Sequence, residues 1–339
     1  MLIDQFELAP YALPLTDALQ LGDVSVKQRL GILVQLGCEG VCGQGDVAPL
    51  PGFSHETLDQ AQRALEALRG VDLDLDVAAI LNGETDDALR DAPPSVRFGI
   101  ECAVLELESK RTPHSENIFC KEDIAVPVNA LLVNPTPLDV AARLREGYTC
   151  LKVKVGRQSL SHDIETVSAL AQPLGDVATL RLDANRAWSM ADARVFAEAV
   201  QGLPVAYIEE PCVSCEDSLR LAQEAIVPIA LDESLNAMDA NQCNGLTGLA
   251  AFVIKPTLSG GVSRTIRLAR AARACGAEPV ISAAFESGVG IRALAYLSNA
   301  VMSPGVAAGL DTWRWLAEDV VDHAGLRCGA EWRFGSVAR

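Results

Sequence analysis

The chain has 339 residues, 49% of them hydrophobic, and a formal net charge of -17. That length exceeds one simple core and suits a barrel with a second domain. The charge excludes a nucleic-acid binder, which needs basic patches to neutralise phosphates, and no apolar run is long enough to span a bilayer. The 10 cysteines lack the spacing of a disulfide framework and no signal-type segment opens the chain, so a reduced, cytoplasmic setting is expected. Cys212 and Cys215 have CxxC spacing, but without a second pair or a histidine partner the motif carries little weight.

In chain order, Met1 to Leu8 and Arg29 to Leu36 alternate as strands do. Gly43 to Asp46 reads as a turn, and Ala48 to Ser54 as an irregular loop rich in breakers. Ser54 can cap a helix reaching about Leu68. Further helices are expected over 85–89 and 95–107, with Phe98, Cys102 and Leu105 on one face of the second. This is a small α+β capping domain over 1–110, followed by a polar linker to Lys121. From Ile124 short apolar strands alternate with helices: strands over 126–133, 150–155, 179–183, 205–209, 227–231, 251–254, 278–282 and 307–310. Helices fill the intervals over 138–146, 163–174, 190–201, 216–224, near 238, over 264–275 and over 289–299. About eight such units, spaced roughly 25 residues apart, close most economically into a (β/α)8-type barrel, a modified TIM barrel, over 111–315. A doubly wound sheet would want a glycine-rich phosphate loop after its first strand, and none is present. The tail 316–339 is expected to return to the capping domain.

Active sites of such barrels lie at the C-terminal ends of the strands. Those ends read Lys152 and Lys154, Asp183, Glu209 and Glu210, Asp232 and Glu233, then Lys255. Lysines inside a strand are costly unless something anionic meets them. Three carboxylates on successive strands would repel one another unless a hard cation lay between them, and oxygen-only ligation suits Mg²⁺, with Mn²⁺ as a substitute. A metal on a substrate carboxylate stabilises the charge that develops when the α-proton leaves, and a lysine crowded by cations can act as the base. The expected reaction class is proton abstraction beside a carboxylate, through an enediolate.

A Lys-x-Lys strand, then Asp, Glu and Asp on the following strands, then Lys255-Pro256-x-x-x-Gly260-Gly261, resembles the enolase superfamily. The paired lysines opposite a single one are similar to its muconate-lactonizing subgroup. The mandelate-racemase subgroup uses a His-Asp dyad instead, and none of His55, His114, His162 and His323 falls at a strand end. Ala48 to Ser54, Arg181-Leu182-Asp183-Ala184-Asn185-Arg186-Ala187-Trp188, Ile208 to Cys212, Phe285-Glu286-Ser287 and Gly309 to Thr312 resemble the o-succinylbenzoate synthase family over nearly the whole chain. The resemblance implies Mg-dependent dehydration of 2-succinyl-6-hydroxy-2,4-cyclohexadiene-1-carboxylate to 2-succinylbenzoate in menaquinone synthesis. A small anionic molecule is the expected partner and a monomer the expected state, with an oligomer left open by the sequence. It implies Lys154 as base and then acid on one face, Lys152 as its tuner, and Lys255 as the stabiliser of the enediolate on the other face. Asp183, Glu209 and Asp232 would hold the metal. Arg181 and Asn185 are candidates beside it, Ser282, Ser287 and Gly309 for the succinyl carboxylate, and Glu233 as a partner of Lys255. Loops at 11–25 and 43–54 would close the mouth. Two departures from the family, Gln44 and Asp46 in the turn and Ser282-Ala283-Ala284 on strand seven, are expected to touch the substrate side. An N-acylamino acid racemase or dipeptide epimerase of the same subgroup is the alternative. The epimerase reading lacks the first acid of an Asp-x-Asp pair, since the chain reads Gly309-Leu310-Asp311. A catalytically silent scaffold would have lost a ligand or a lysine, and all six are present.

Overall fold

The computed structural model describes residues 1–21, 24–113, 117–120, 124–321 and 330–334. Its first part is an antiparallel meander of β1 (Gln5–Leu21), β2 (Val24–Cys38) and β3 (Val41–Val47). Pro10 and Pro14 lie in β1, at the edge of the sheet, where a missing N–H breaks no inner ladder. Ile32, Val34 and Leu36 alternate along β2 onto the buried face.

Helix α1 (Leu58–Arg69) is closed by a capping box between Thr57 and Gln60, so Thr57 takes the capping role expected of Ser54. The Ser54 hydroxyl instead accepts the Leu50 amide at 2.8 Å. A helix the sequence reading did not anticipate, α2 (Val77–Asn82), starts at the Asp76 cap, while the one expected over 85–89 shrinks to a single 3-10 turn, Asp87–Leu89. Helix α3 (Pro94–Arg111) lies directly on β3, and this is why residues 43–46 form strand rather than turn. A Cβ at Gly45 would sit 1.8 Å from the Gly99 carbonyl, and one at Gly43 2.1 Å from that of Ala103. Only glycine allows the two backbones so close.

The second part is a parallel sheet ordered as the chain runs: β5 (Ala130–Leu132), β6 (Cys150–Lys154), β7 (Thr179–Asp183), β8 (Val205–Glu209), β9 (Ile229–Leu231), β10 (Leu249–Ile254) and β11 (Glu278–Ile281). Helices α4 (Pro137–Arg145), α5 (Leu160–Ala171), α6 (Met190–Val200), α7 (Cys215–Glu224), α11 (Gly261–Ala274) and α12 (Gly288–Val301) make the main crossovers. Short turns α8 (Glu233–Ala237), α9 (Ala240–Cys243) and α10 (Pro256–Ser259) fill the remaining links. The eighth position is taken by the segment around Ala308. It bridges Gly309 to Ser282 on one side and Ala308 to Val128 on the other, both in parallel, and so closes the barrel. Because helices cover the outside, the strands are largely apolar on both faces before their C-terminal ends, with Lys152 and Arg181 as buried charged exceptions.

Two expectations change here. The strand expected over 126–133 is two: β5 enters the barrel, while β4 (Ile124–Pro127) pairs antiparallel with β12 (Glu331–Phe334). The tail therefore divides. Leu316 bridges Leu15 of β1 and the Ala317 amide donates to Pro14 at 2.8 Å, but β12 packs on β4 and not on the meander; 322–329 and 335–339 lie outside the described residues.

Candidate active site

The parallel registers place Lys154 beside Asp183 and Asp183 beside Glu209, so three strand ends stand level. Asp232 and Lys255 are the residues immediately after β9 and β10. Lys152 and Lys154 face the same way because they are two apart on one strand. Asp183, Glu209 and Asp232 are buried, with 2%, 1% and 2% of their surface exposed. Burying a charge without a partner costs several kcal/mol, roughly, so each carboxylate must be answered.

Lysines answer them. The Lys152 ammonium bridges Glu209 at 2.6 Å and Asp183 at 3.0 Å, Lys154 stands 3.5 Å from Asp183, and Lys255 is ion-paired to Asp232. Among the described residues no three acids, histidines or cysteines form a metal cage, and the Lys152 ammonium contacts both Asp183 and Glu209. The two lysines of β6 are pushed in opposite directions. Burial disfavours the Lys152 ammonium, but Asp183, Glu209 and Asp232 outweigh it and raise its pKa well above the ordinary lysine value. Burial lowers that of Lys154, and repulsion from Lys152, Lys255 and Arg157 lowers it further against the pull of Asp183. Burial also opposes the charge on Lys255, yet Asp232 and Glu233 hold it protonated.

Lys154 donates to Asn185 Oδ1 at 2.5 Å, and Asn185 Nδ2 donates to Glu233 Oε1 at 3.0 Å. Glu233 thus hydrogen-bonds Asn185 rather than Lys255, and its other oxygen, Oε2, is buried with no hydrogen-bond partner. The loops holding these groups are strained. Asn185, Arg186, Glu210 and Phe285 all adopt left-handed backbone, with φ between 43° and 61°. Glu210 faces away from the cluster and accepts the Asp232 and Ser234 amides at 2.9 and 2.8 Å, fixing the turn that carries Asp232.

A cavity of about 870 Å³ opens over this floor. Lys152, Lys154, Asp183, Asn185, Glu233, Lys255, Ser282 and Gly309 line it, as the sequence suggests. Glu209 and Asp232 do not: they are buried and ion-paired to Lys152 and Lys255. Nor does Arg181. It lies one layer deeper, donating to Asn129 Oδ1 at 3.2 Å with its guanidinium 5.2 Å from the centre of the Tyr207 ring. Nor does Ser287, whose amide and hydroxyl both go to Asp46 Oδ2 at 2.8 Å. Asp46 itself is fully buried between the meander and the barrel, so this departure from the family pattern falls at an interface, while Ala283 and Ala284 do line the cavity. Residues 11–21 are strand rather than loop, and the mouth is covered by the end of β1 at 18–20 and by the loop of Leu50, Gly52, Phe53 and His55.

The sequence reading missed His55, Arg157 and Trp315 as lining residues. Arg157, three residues beyond the Lys-x-Lys strand, had a signal in its position; His55 and Trp315 had none, since loops far apart in sequence bring them there. His114 and His323 lie outside the described residues. Cys212 is buried, Cys215 is half-buried, and both are free thiols.

Comparison with known proteins agrees with this geometry. Residues 138–328 match the family model described as Enolase C-terminal domain-like, and residues 3–107 that of the MenC N-terminal domain. The o-succinylbenzoate synthase of Yersinia pseudotuberculosis serotype O:1b (strain IP 31758) is 38% identical over 92% of this chain and 91% of its own. That of Yersinia pestis (strain Pestoides F) is 37% identical over the same shares. Among solved structures, o-succinylbenzoate synthase from Thermosynechococcus elongatus BP-1, complexed with Mg in the active site, is 27% identical. It superposes with a TM-score of 0.73 over 93% of this chain and 95% of that one. The L-Ala-D/L-Glu epimerase from Bacillus subtilis reaches 0.84 over 98% and 96% at 22% identity, which shows a shared fold. With a relative of 38% identity along nine-tenths of its length, this chain belongs to the o-succinylbenzoate synthase family of the enolase superfamily, a family of hydro-lyases.

Proposed function

We propose that this chain converts 2-succinyl-6-hydroxy-2,4-cyclohexadiene-1-carboxylate to 2-succinylbenzoate and water, a step of menaquinone synthesis. The observation that carries the reading is the cavity lining of Lys152, Lys154, Asp183 and Lys255, with Glu209 and Asp232 buried against Lys152 and Lys255 just outside that lining. Asp183, Glu209 and Asp232 fit a divalent cation: they offer only oxygen, they are buried, and lysine side chains that can swing aside are their main countercharges. The unpartnered Glu233 Oε2 beside them adds negative charge that a cation would relieve. When bound there, Mg²⁺, or Mn²⁺ in its place, supplies the positive charge that steadies the substrate carboxylate as it takes up a second negative charge.

The protein's own groups do the rest. Lys154, kept from holding its proton tightly by burial and by its cationic neighbours, takes the proton from the ring carbon beside the carboxylate. Asn185 holds the Lys154 amine at 2.5 Å and so fixes its aim. Lys255, charged on the opposite side, meets the developing negative charge. The Lys154 ammonium then gives its proton to the hydroxyl on the same face, the carbon–oxygen bond breaks, and water departs with aromatisation of the ring. Ser282, which lines the cavity, is the donor in this reading for the succinyl carboxylate; Gly309 lines it as well, with its amide already given to the Ile281 carbonyl at 2.8 Å. We read the protein as a cytoplasmic monomer; the eight cysteines whose side chains the structure describes are all free thiols, which suits that setting.

An epimerase acting on dipeptides is less well supported. Asp311, the acid that would hold a substrate ammonium, already accepts the Leu131 amide at 2.9 Å and the Tyr148 hydroxyl at 3.3 Å, and pairs with Arg314 at 3.2 Å. The test is absorbance of the aromatic product from the cyclohexadiene carboxylate, with Mg²⁺ and after EDTA. Rapid conversion that EDTA stops is expected. A metal-loaded protein that leaves the substrate unchanged would overturn the reading.

A further inference from the structure

Arg29 is 1% exposed, yet no carboxylate among the described residues forms an ion pair with it. Its guanidinium instead donates to three carbonyls: Nε to Phe285 at 2.9 Å, Nη1 to Pro49 at 3.1 Å and Nη2 to Ala48 at 2.8 Å. Ala48 and Pro49 begin the loop after β3; Phe285 belongs to the loop after β11, on the barrel. Arginine's planar fork of five N–H donors suits such a three-way grip, which a lysine ammonium cannot reproduce.

What the fork grips is the apolar wall of the cavity. Val26, Leu50, Leu258 and Ala284, with Leu15, Leu19, Phe53 and Phe285 against them, form a hydrophobic cluster separate from the main core. Leu19, Leu50, Phe53, Ala284 and Phe285 also line the cavity. Such a small cluster has little packing of its own to hold its shape. Phe285 is moreover left-handed, at φ 61°, a conformation that persists only when its surroundings enforce it. Beside it, Asp46 joins Tyr11 at 2.8 Å to the Ser287 amide and hydroxyl, tying the same two segments a second time.

We propose that Arg29 is a positioning residue for substrate selection: it fastens the 48–55 loop and the 283–286 loop into one apolar wall, set to the six-membered ring and methylene chain of the substrate. Arg29 touches no reacting atom. It acts through Phe53 and Phe285, closing the wall against water while the strand-end lysines do the chemistry. The kinetic readout rests on the proposed dehydration, and a second readout does not.

The experiment compares the full chain with Arg29→Lys. KM for the cyclohexadiene carboxylate is expected to rise about tenfold while kcat changes by less than about threefold, the pattern of lost ground-state binding. Hydrogen–deuterium exchange should quicken over 48–55 and 283–286 and stay unchanged over 150–154, whether or not the protein turns over this substrate. Unchanged KM, a fall in kcat alone, or unchanged exchange in those two loops overturns the proposal. If Arg29→Lys does not fold, Phe53→Ala, Phe285→Ala and their double variant decide it with Arg29 in place. One wall predicts that the second removal costs far less in KM than the first, whereas independent, multiplying effects contradict it. Wild-type protein that leaves the substrate unchanged, yet shows the exchange difference, refutes the dehydration reading and not the bracket.

Discussion

Two sets of the buried carboxylates among the described residues are neutralised in different ways. At the strand ends Asp183, Glu209 and Asp232 face lysine ammoniums on flexible stems. Between the meander and the barrel, Asp46, Glu101 and Glu286 are as deeply buried but are held by neutral donors. Asp46 accepts from Tyr11 and Ser287, Glu101 from the Ser263 amide and hydroxyl, and Glu286 from the Thr257 hydroxyl and the Ala284 amide. A neutral, short-stemmed donor fixes geometry and cannot leave. A lysine can rotate away and expose its carboxylate to another cation. The first arrangement builds a joint and the second keeps a site adjustable.

The largest way to break this contrast is at the base. Lys154→Ala should cut turnover at least about a thousandfold, the range of a lost general base, with the circular dichroism spectrum intact. Retained dehydration would remove Lys154 from the role assigned to it. At the joint, Asp46→Ala leaves the Tyr11 hydroxyl and both Ser287 donors without an acceptor, and should cost roughly 3–4 kcal/mol in urea unfolding. Asp46→Asn, which keeps an acceptor oxygen, should cost less; equal losses would mean that packing, not hydrogen bonding, holds the joint.

Glu101 sharpens the contrast through pH. Burial pushes its carboxyl from 4.5 up to about 7, against the hydrogen bonds from Ser263 and Val262. The folded state thus holds this proton more tightly than the unfolded state, and stability falls as pH rises from about 4.5 through about 7. Glu101→Gln removes that dependence. Its advantage over wild type should grow to on the order of 2–3 kcal/mol between pH 5 and 8, and a constant difference would contradict the shift. The smallest effect belongs to an exposed pair: Arg194→Ala, which breaks the 2.5 Å contact with Glu224, should leave the unfolding midpoint unchanged within error.

The strand-end residues were legible in the sequence because each is a local anomaly, a charge at the end of an apolar strand, repeated at a regular interval. The barrel was legible for the same reason. The lid was not. Ser287 and Asp46 looked like substrate-side residues because they are polar and lie in loop-like motifs, but 241 residues separate them and only the docking of the meander on the barrel makes them partners. Residues 43–46 looked like a turn because they contain two glycines, which here let α3 lie on β3. Arg181 shares a strand face with Asp183, and the sequence could not show that its layer ends below the cavity floor, against Asn129 and Tyr207. The division of the tail between β1 and β4 had no local signal either.

The contrast is tested most directly by calorimetric titration of Mg²⁺ into the wild type, Asp232→Asn and Glu286→Gln. The account predicts one binding site in the wild type, its loss in Asp232→Asn, and its full retention in Glu286→Gln. Binding that survives in Asp232→Asn, or that disappears in Glu286→Gln while the protein stays folded, would contradict the assignment of the two carboxylate groups.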